Sequence, residues 1–255
     1  MNLTPLKRSI LLAAARANEG HIASAFSVLD LLWVLYDQIL RVDPRDPEAA
    51  DRDRFVLSKG HASLALYAVL IAKGFCPGRT LDEFASLQSI FGGHPDRNKI
   101  PGVEASTGSL GHGFPMAVGM ALGLRHKKSP ARVFALIGDG EANEGSIWES
   151  ILLAAHHRLN RLCCIVDHNH STDRALKMDD LKNKFEAFDW EALDLDGHDH
   201  VAIAKALTRE PGERPRAFIA RTVKGCGCKP MENNPAWHHR APTAEELPAL
   251  LESLT

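Results

Sequence analysis

The sequence predicts an α/β fold with a parallel sheet covered by helices on both faces. The first reason is a set of apolar runs in the second half: VFALIG (133–138), LCCIVD (162–167), ALDLDG (192–197) and AFIART (217–222). Continuous apolar strands separated by helical stretches belong to a parallel sheet buried on both sides. The second reason is size and composition. At 255 residues, 45% hydrophobic and 24% charged, the chain can bury one large core, so residues 1–255 read as a single domain. No internal repeat or low-complexity tract divides it.

In chain order, Pro5 suits the first turn of a helix that Asn2 or Thr4 could cap and that runs to about Asn18. SVLDLLWVLYDQIL (27–40) has apolar residues at helical spacing and reads as a buried helix. A charged, proline-broken loop follows over 41–53, then a short strand over 54–57 and a helix over 62–73. Residues 88–113 are glycine-rich and irregular, and an unstructured stretch of that length usually marks a functional surface. Within the alternating half a helix spans 144–157. From about 226 a loop leads to a short amphipathic C-terminal helix.

Composition excludes several functions. Lys plus Arg is 30 and Asp plus Glu is 32, a formal charge of −2, which calls for neither nucleic acid nor an anionic membrane surface. Arg16 and Glu19 interrupt the N-terminal apolar stretch, so it reads as an amphipathic helix and not a signal peptide. No segment approaches the ~20 apolar residues of a membrane span. Five cysteines, two of them inside an apolar strand, argue against a disulfide framework. The expected location is the cytoplasm.

Two strands end in residues suited to a metal: Gly138-Asp139-Gly140 and Asp167-His168-Asn169. Open α/β sheets bind ligands at the carboxyl ends of their strands. If these two strands are neighbours, Asp139 and Asn169 converge as hard oxygen donors for Mg²⁺ or Ca²⁺. Flanking glycines would let backbone N–H groups approach an anion, with the N-terminus of the helix after Gly140 aimed at it. The pattern points to a metal-bridged diphosphate, although Asp-Gly is also a common turn. Many of the 13 histidines sit beside glycine or another histidine, among them His21, His61, His94, His198 and the His238-His239 pair. Each alone could be an ordinary surface or core histidine, but together they fall at element ends, where sites are built.

GDGEANEGSIWES (138–150), with Asn169 thirty residues after Asp139, resembles the thiamine-diphosphate signature of the transketolase family. NEGHIASAFSVLDLL (18–32), DRFVLSKGHAS (53–63), GGHP (92–95) and STGSLGHG (106–113) are similar to further motifs of that family, in its order. The resemblance covers essentially the whole chain. It implies that Asp139 and Asn169 ligate a metal through their side chains and Ser171 through its carbonyl. The metal would be Mg²⁺, with Ca²⁺ or Mn²⁺ as substitutes. Gly140 would meet the diphosphate through its backbone and His61 would contact it. Gly108, Ser109 and Leu110 would hold the thiazolium end. His21, His94 and His238 would surround a sugar and assist proton transfers, for which imidazole is suited; His239 is the alternative to His238. Glu144 resembles the glutamate linking paired active sites, and is otherwise a carboxylate at a helix N-terminus.

The chain contains nothing resembling the family's pyrimidine-binding domain. The resemblance therefore implies a split enzyme paired with a separately encoded pyrimidine-binding subunit, as α2β2. It would transfer a two-carbon ketol unit from a ketose to an aldose, phosphorylated or otherwise modified. Departures put the usual pentose-phosphate substrate in doubt: Ile22 follows His21 in place of proline, HSTDRALK follows Asn169, His112 replaces glutamine and His239 replaces glycine. The alternatives are an alpha subunit of a 2-oxo-acid dehydrogenase, a non-catalytic subunit retaining the fold, and a zinc site on Cys226, Cys228, His238 and His239, whose Cys-x-Cys spacing is short.

Overall fold

The apolar runs pair into one five-stranded, all-parallel sheet in a computed structural model that describes residues 2–255. The strands are β1 (Arg54–Leu57), β2 (Val133–Gly138), β3 (Leu162–His168), β4 (Glu191–Asp196) and β5 (Arg216–Arg221), in spatial order β1-β2-β3-β5-β4. Three strands agree with the apolar runs to within a residue, and the last two begin one residue earlier. β2 and β3 are neighbours, with Gly138 level with Asp167.

Eight α-helices complete the fold: α1 (Thr4–Ala17), α2 (Ile22–Val34), α3 (Ser63–Ala72), α4 (Gly113–His126), α5 (Gly145–His156), α6 (Leu181–Ala187), α7 (His200–Leu207) and α8 (Leu247–Glu252). Alternate strand residues face opposite layers. Phe55, Phe134, Ile165 and Phe218 join α1, α2, α3 and α7 in one core. Val56, Ala135, Cys164 and Ile219 join α4, α5 and α6 in the other. The chain steps forward across the sheet through α4, α5 and α6, then back from β4 to β5 through α7. Right-handed crossovers put a returning helix on the opposite face, as found here.

The first helix is entered at Leu3 without a side-chain cap, while Asn2 Oδ1 accepts the Thr4 N–H at 2.8 Å. The second begins at Ile22, five residues before the sequence expectation, and is buried all round. It ends in a π-helical turn, Leu35–Ile39. Contrary to the expectation that no segment is long and apolar enough to cross a membrane, the 18-residue stretch Ile22–Ile39 is, by length and composition. Its 18-residue window is 83% buried inside the fold, which is the behaviour of a core helix. α4 was not expected; its glycines at 119 and 123 weaken the helical pattern.

Candidate active site

All five strands end on the same edge of the sheet, and the residues just beyond them build the site. Asp139 leaves β2, and its N–H donates to the carbonyl of Asp167 on β3 at 3.1 Å. Its carboxylate is buried and accepts the N–H groups of Gly140 and His170, each at 2.7 Å. Burial raises its pKa, and the nearby Asp167 raises it further, against the pull of Lys59. Asn169 Nδ2 donates to Ser27 Oγ at 3.2 Å and to Asp167 Oδ2 at 3.0 Å, which fixes the amide. Its Oδ1 accepts only the Ser171 N–H, at 3.0 Å.

Beneath these sits a buried ionic knot. Asp167 is fully buried and pairs with Lys59, which leaves β1. It also accepts from Ser27 Oγ on α2 at 2.7 Å and from Thr222 Oγ1 after β5. Burial opposes its charge, but Lys59 and these hydrogen bonds outweigh it and hold the carboxyl below the usual range. Lys224, two residues beyond Thr222, donates to His238 Nδ1 at 2.8 Å. Burial, then Lys59, brings its pKa down to about 8. Glu141 forms a second buried acceptor, taking the Ser58 hydroxyl at 2.5 Å, the Gly111 N–H at 3.0 Å and the Gly138 N–H at 3.3 Å. Burial raises its pKa.

Above the knot lies a cavity of about 390 Å³ walled by His21, His61, His94, His238 and His239 together with Gly108, Leu110 and the residues just described. The His21 ring is central, with centroids 5.1 Å from His61, 5.8 Å from His238, 6.4 Å from His94 and 4.3 Å from His239. Burial and the surrounding imidazoles push His21 down to about 3. Burial, then Lys59, likewise lowers His61, and burial, then Lys224, lowers His238. Two glycines sit where a side chain would crowd its neighbours. A Cβ on Gly140 would fall 2.5 Å from Thr172 Cγ2, and Gly108, at φ +155°, would place one 3.0 Å from His94 Cδ2.

The structure thus gathers His21, His61, His94, Gly108, Leu110, Asp139, Gly140, Asn169, Ser171 and His238 around one cavity. His239 lines it as well, so both members of the pair are present. Ser109 is exposed and belongs to an adjoining open pocket with His112 and Met116. Glu144 is exposed at the N-terminus of α5 and does not line the cavity. A 3₁₀ turn, Glu141–Asn143, separates Gly140 from that helix, and the Gly140 N–H is turned to Asp139. The helix starts at Gly145, close to the 144 expected from the sequence, but its N-terminus is set back from Gly140 by that turn.

Sequence reasoning missed Lys59, Lys224, Glu141 and Ser27 as site residues, and named Asp167 only as part of a strand end suited to a metal. Lys59 and Lys224 each follow a strand on the binding edge, which was the available signal. The zinc arrangement does not form. Cys226 lies with Asp30 and His198, whereas Cys228 is buried against Ser253. Among the described residues, Asp30–His198–Cys226 is the only gathering of three or more His, Cys, Asp or Glu able to hold a metal, and the cysteines are free.

The donor set fits a divalent cation. Each Asp139 oxygen and the Asn169 oxygen has a single N–H partner, which leaves lone pairs available. A dication would offset the burial that destabilises the Asp139 charge. Lys59, Lys224 and His61 surround the same space with the donors and positive charge a diphosphate needs, and the cavity volume suits a small cofactor.

The family described as "Transketolase, thiamine diphosphate binding domain" matches residues 8–254. The chain is 46% identical over 215 residues to a Rhodococcoides fascians protein named ferredoxin fas2, covering 84% of this chain and 70% of that one. It is 37% identical over 238 residues to one of the subunits of apulose-4-phosphate transketolase from Phocaeicola vulgatus, covering 91% and 84%. Among solved structures, transketolase from Campylobacter jejuni superposes with a TM-score of 0.89 at 30% identity, over 99% of this chain. The chain spans 43% of the length of that structure.

Proposed function

The chain belongs to the transketolase family as its thiamine-diphosphate-binding domain, and from that premise we propose that it is the cofactor-holding subunit of a split transketolase. In this reading it transfers a two-carbon ketol unit from a ketose to an aldose once a separate pyrimidine-binding subunit completes the site, in an α2β2 assembly. The observation that carries the reading is the convergence of Asp139 and Asn169, from adjacent strands, beside Lys59 and beneath an imidazole-lined cavity. The Phocaeicola vulgatus relative, itself named as one transketolase subunit and matched over 84% of its length, supports the division of labour. Free cysteines are consistent with a cytoplasmic location.

Asp139, Asn169 and the Ser171 carbonyl would hold Mg²⁺, and Lys59, His61 and Lys224 would hold the diphosphate. Thiamine diphosphate, when bound, supplies the electron sink for carbon–carbon cleavage. The chain supplies orientation and an imidazole-lined wall. His21, with a pKa near 3, stays neutral at pH 7 and is too weak a base to strip a sugar hydroxyl. Its use is to accept a hydrogen bond and so fix the substrate chain, with His94 and His238 alongside. The polar imidazole wall suits a polyhydroxy substrate better than a 2-oxo acid.

Calorimetric titration with thiamine diphosphate and Mg²⁺, followed by ketose turnover with and without the partner subunit, tests this. The chain alone should be nearly inactive, and the reconstituted pair active. Robust turnover by the single chain would overturn the split-enzyme reading. Absence of cofactor binding even with the partner would favour a non-catalytic subunit. Pyruvate consumption with a lipoyl acceptor would mark a 2-oxo-acid dehydrogenase instead.

A further inference from the structure

We propose that His239 is a positioning and donor-selecting residue, whose ring stacks on His21 and walls one side of the slot that receives the ketose. This rests on the reading of the cavity as a ketose site. The two rings lie 4.3 Å apart and only 20° from parallel. The other imidazoles meet His21 at steeper angles, 54° for His61, 58° for His94 and 84° for His238. His239 therefore covers one face of His21, and a ligand must approach from another side.

Both rings are carried on anchored segments. His21 precedes the first residue of the fully buried helix α2, so its backbone is fixed by the core. His239, although exposed, lies between two anchored neighbours. Trp237 is buried, and the Arg240 guanidinium sits 4.0 Å over its ring while pairing with Glu246. Upstream, Asn234 Oδ1 accepts the Ala236 N–H at 3.1 Å and caps the turn that presents the segment. A segment anchored on both sides of His239 can present its ring as a wall with the precision that substrate selection needs.

The chemistry of the wall follows from charge. The groups facing His21 are His61, His94, His238, His239 and Lys224. All of those acting on its charge oppose protonation after burial itself, and the cavity's two carboxylates, Asp139 and Glu141, are not among the groups acting on it. The His21 ring resists protonation, so it offers a lone pair and an N–H to hydroxyls and no charge of its own to a phosphate. This end of the slot fits the uncharged, unsubstituted hydroxymethyl-ketone head of a ketose. It disfavours donors with added bulk beside the carbonyl.

The test uses the chain with its partner subunit and two donors, a linear ketopentose phosphate and a ketose phosphate branched at the carbon beside the carbonyl, on wild type, His239→Ala and His239→Phe. His239→Ala should change the ratio of kcat/KM between the donors by ~10-fold or more, chiefly through KM, the scale on which pocket contacts discriminate substrates. His239→Phe keeps a stacking ring and should retain the wild-type ratio. In parallel, the His21 imidazole is titrated by NMR in the chain, assigned with His21→Gln. Its midpoint should rise towards the ordinary histidine range in His239→Ala and stay low in His239→Phe. An unchanged donor ratio in His239→Ala overturns the selecting role, and an unchanged His21 midpoint overturns the positioning role. If wild type turns over no ketose at all, the functional reading fails, while the titration still decides whether the stack positions His21.

Discussion

Asp139 sits where a carboxylate is hard to keep ionised, and a resident cation would be the compensation. Its pKa is raised by burial and next by Asp167, so a proton competes for the oxygens at higher pH than at an ordinary aspartate. Metal ligands of this kind must be deprotonated to bind. Cofactor and Mg²⁺ affinity should therefore be full above the raised pKa and fall as pH drops through it, starting above the usual Asp value of about 3.9. Asp139→Asn should weaken Mg²⁺-dependent binding by more than the ~10–100-fold that outer partners cost, and should flatten the pH dependence. Calorimetry over a pH series measures both. Wild-type affinity that holds level down to pH 4 would show that Asp139 is not the titrating ligand. Asp139 was legible from its place after an apolar strand between glycines. Glu141, two residues on, was not, because its role depends on Ser58 and Gly111, which only the fold brings to it.

At the scale of elements, Lys59 and Asp167 tie the end of β1 to the end of β3 across the intervening β2, and Ser27 and Thr222 add α2 and the exit of β5. Removing one member of a buried pair leaves the other charge uncompensated, which costs about 3–5 kcal/mol. Lys59→Met should lose stability on that scale in urea unfolding. Because the Asp167 carboxyl is held below its usual range, the advantage of wild type over the variant should be complete above pH ~5. It should shrink as pH falls through the depressed value. A gap between the two proteins that is unchanged at low pH would assign the loss to packing. Partners 108 residues apart leave no trace in local sequence, so the knot could not be read there. The strands could be read, because burial on both faces writes itself as unbroken apolar runs. The early start of α2 was obscured for the same reason that α4 was: helices buried all round, or built from small residues, lack an amphipathic stripe. The insertion of β5 between β3 and β4 was also invisible, since strand order depends on packing and not on composition.

At the scale of the whole molecule, the split-enzyme reading makes the cavity a half-built site, and this governs how ligand binding feeds into stability. A ligand that binds only the folded state stabilises it by about 2.7 kcal/mol at one hundred times its Kd. For a chain of this size each kcal/mol moves Tm by roughly 2–4 °C, so a saturated site should add roughly 5–11 °C. In that reading the chain alone offers the metal and diphosphate half, since Asp139, Asn169, Lys59, Lys224 and the imidazole wall are all its own. The open pocket beside it, which runs from Ser106 to Met116 and includes Ser146, gives the other end of a cofactor little enclosure. Thiamine diphosphate with Mg²⁺ should therefore raise the Tm of the isolated chain by only a fraction of that range. The full shift should appear when the pyrimidine-binding subunit is present, with inorganic pyrophosphate and Mg²⁺ giving the same small shift as the cofactor on the chain alone. Thermal scans of the four combinations decide the matter. A full cofactor shift without the partner would mean that this chain grips both ends of the cofactor, and that the division at the heart of the split-enzyme reading lies elsewhere.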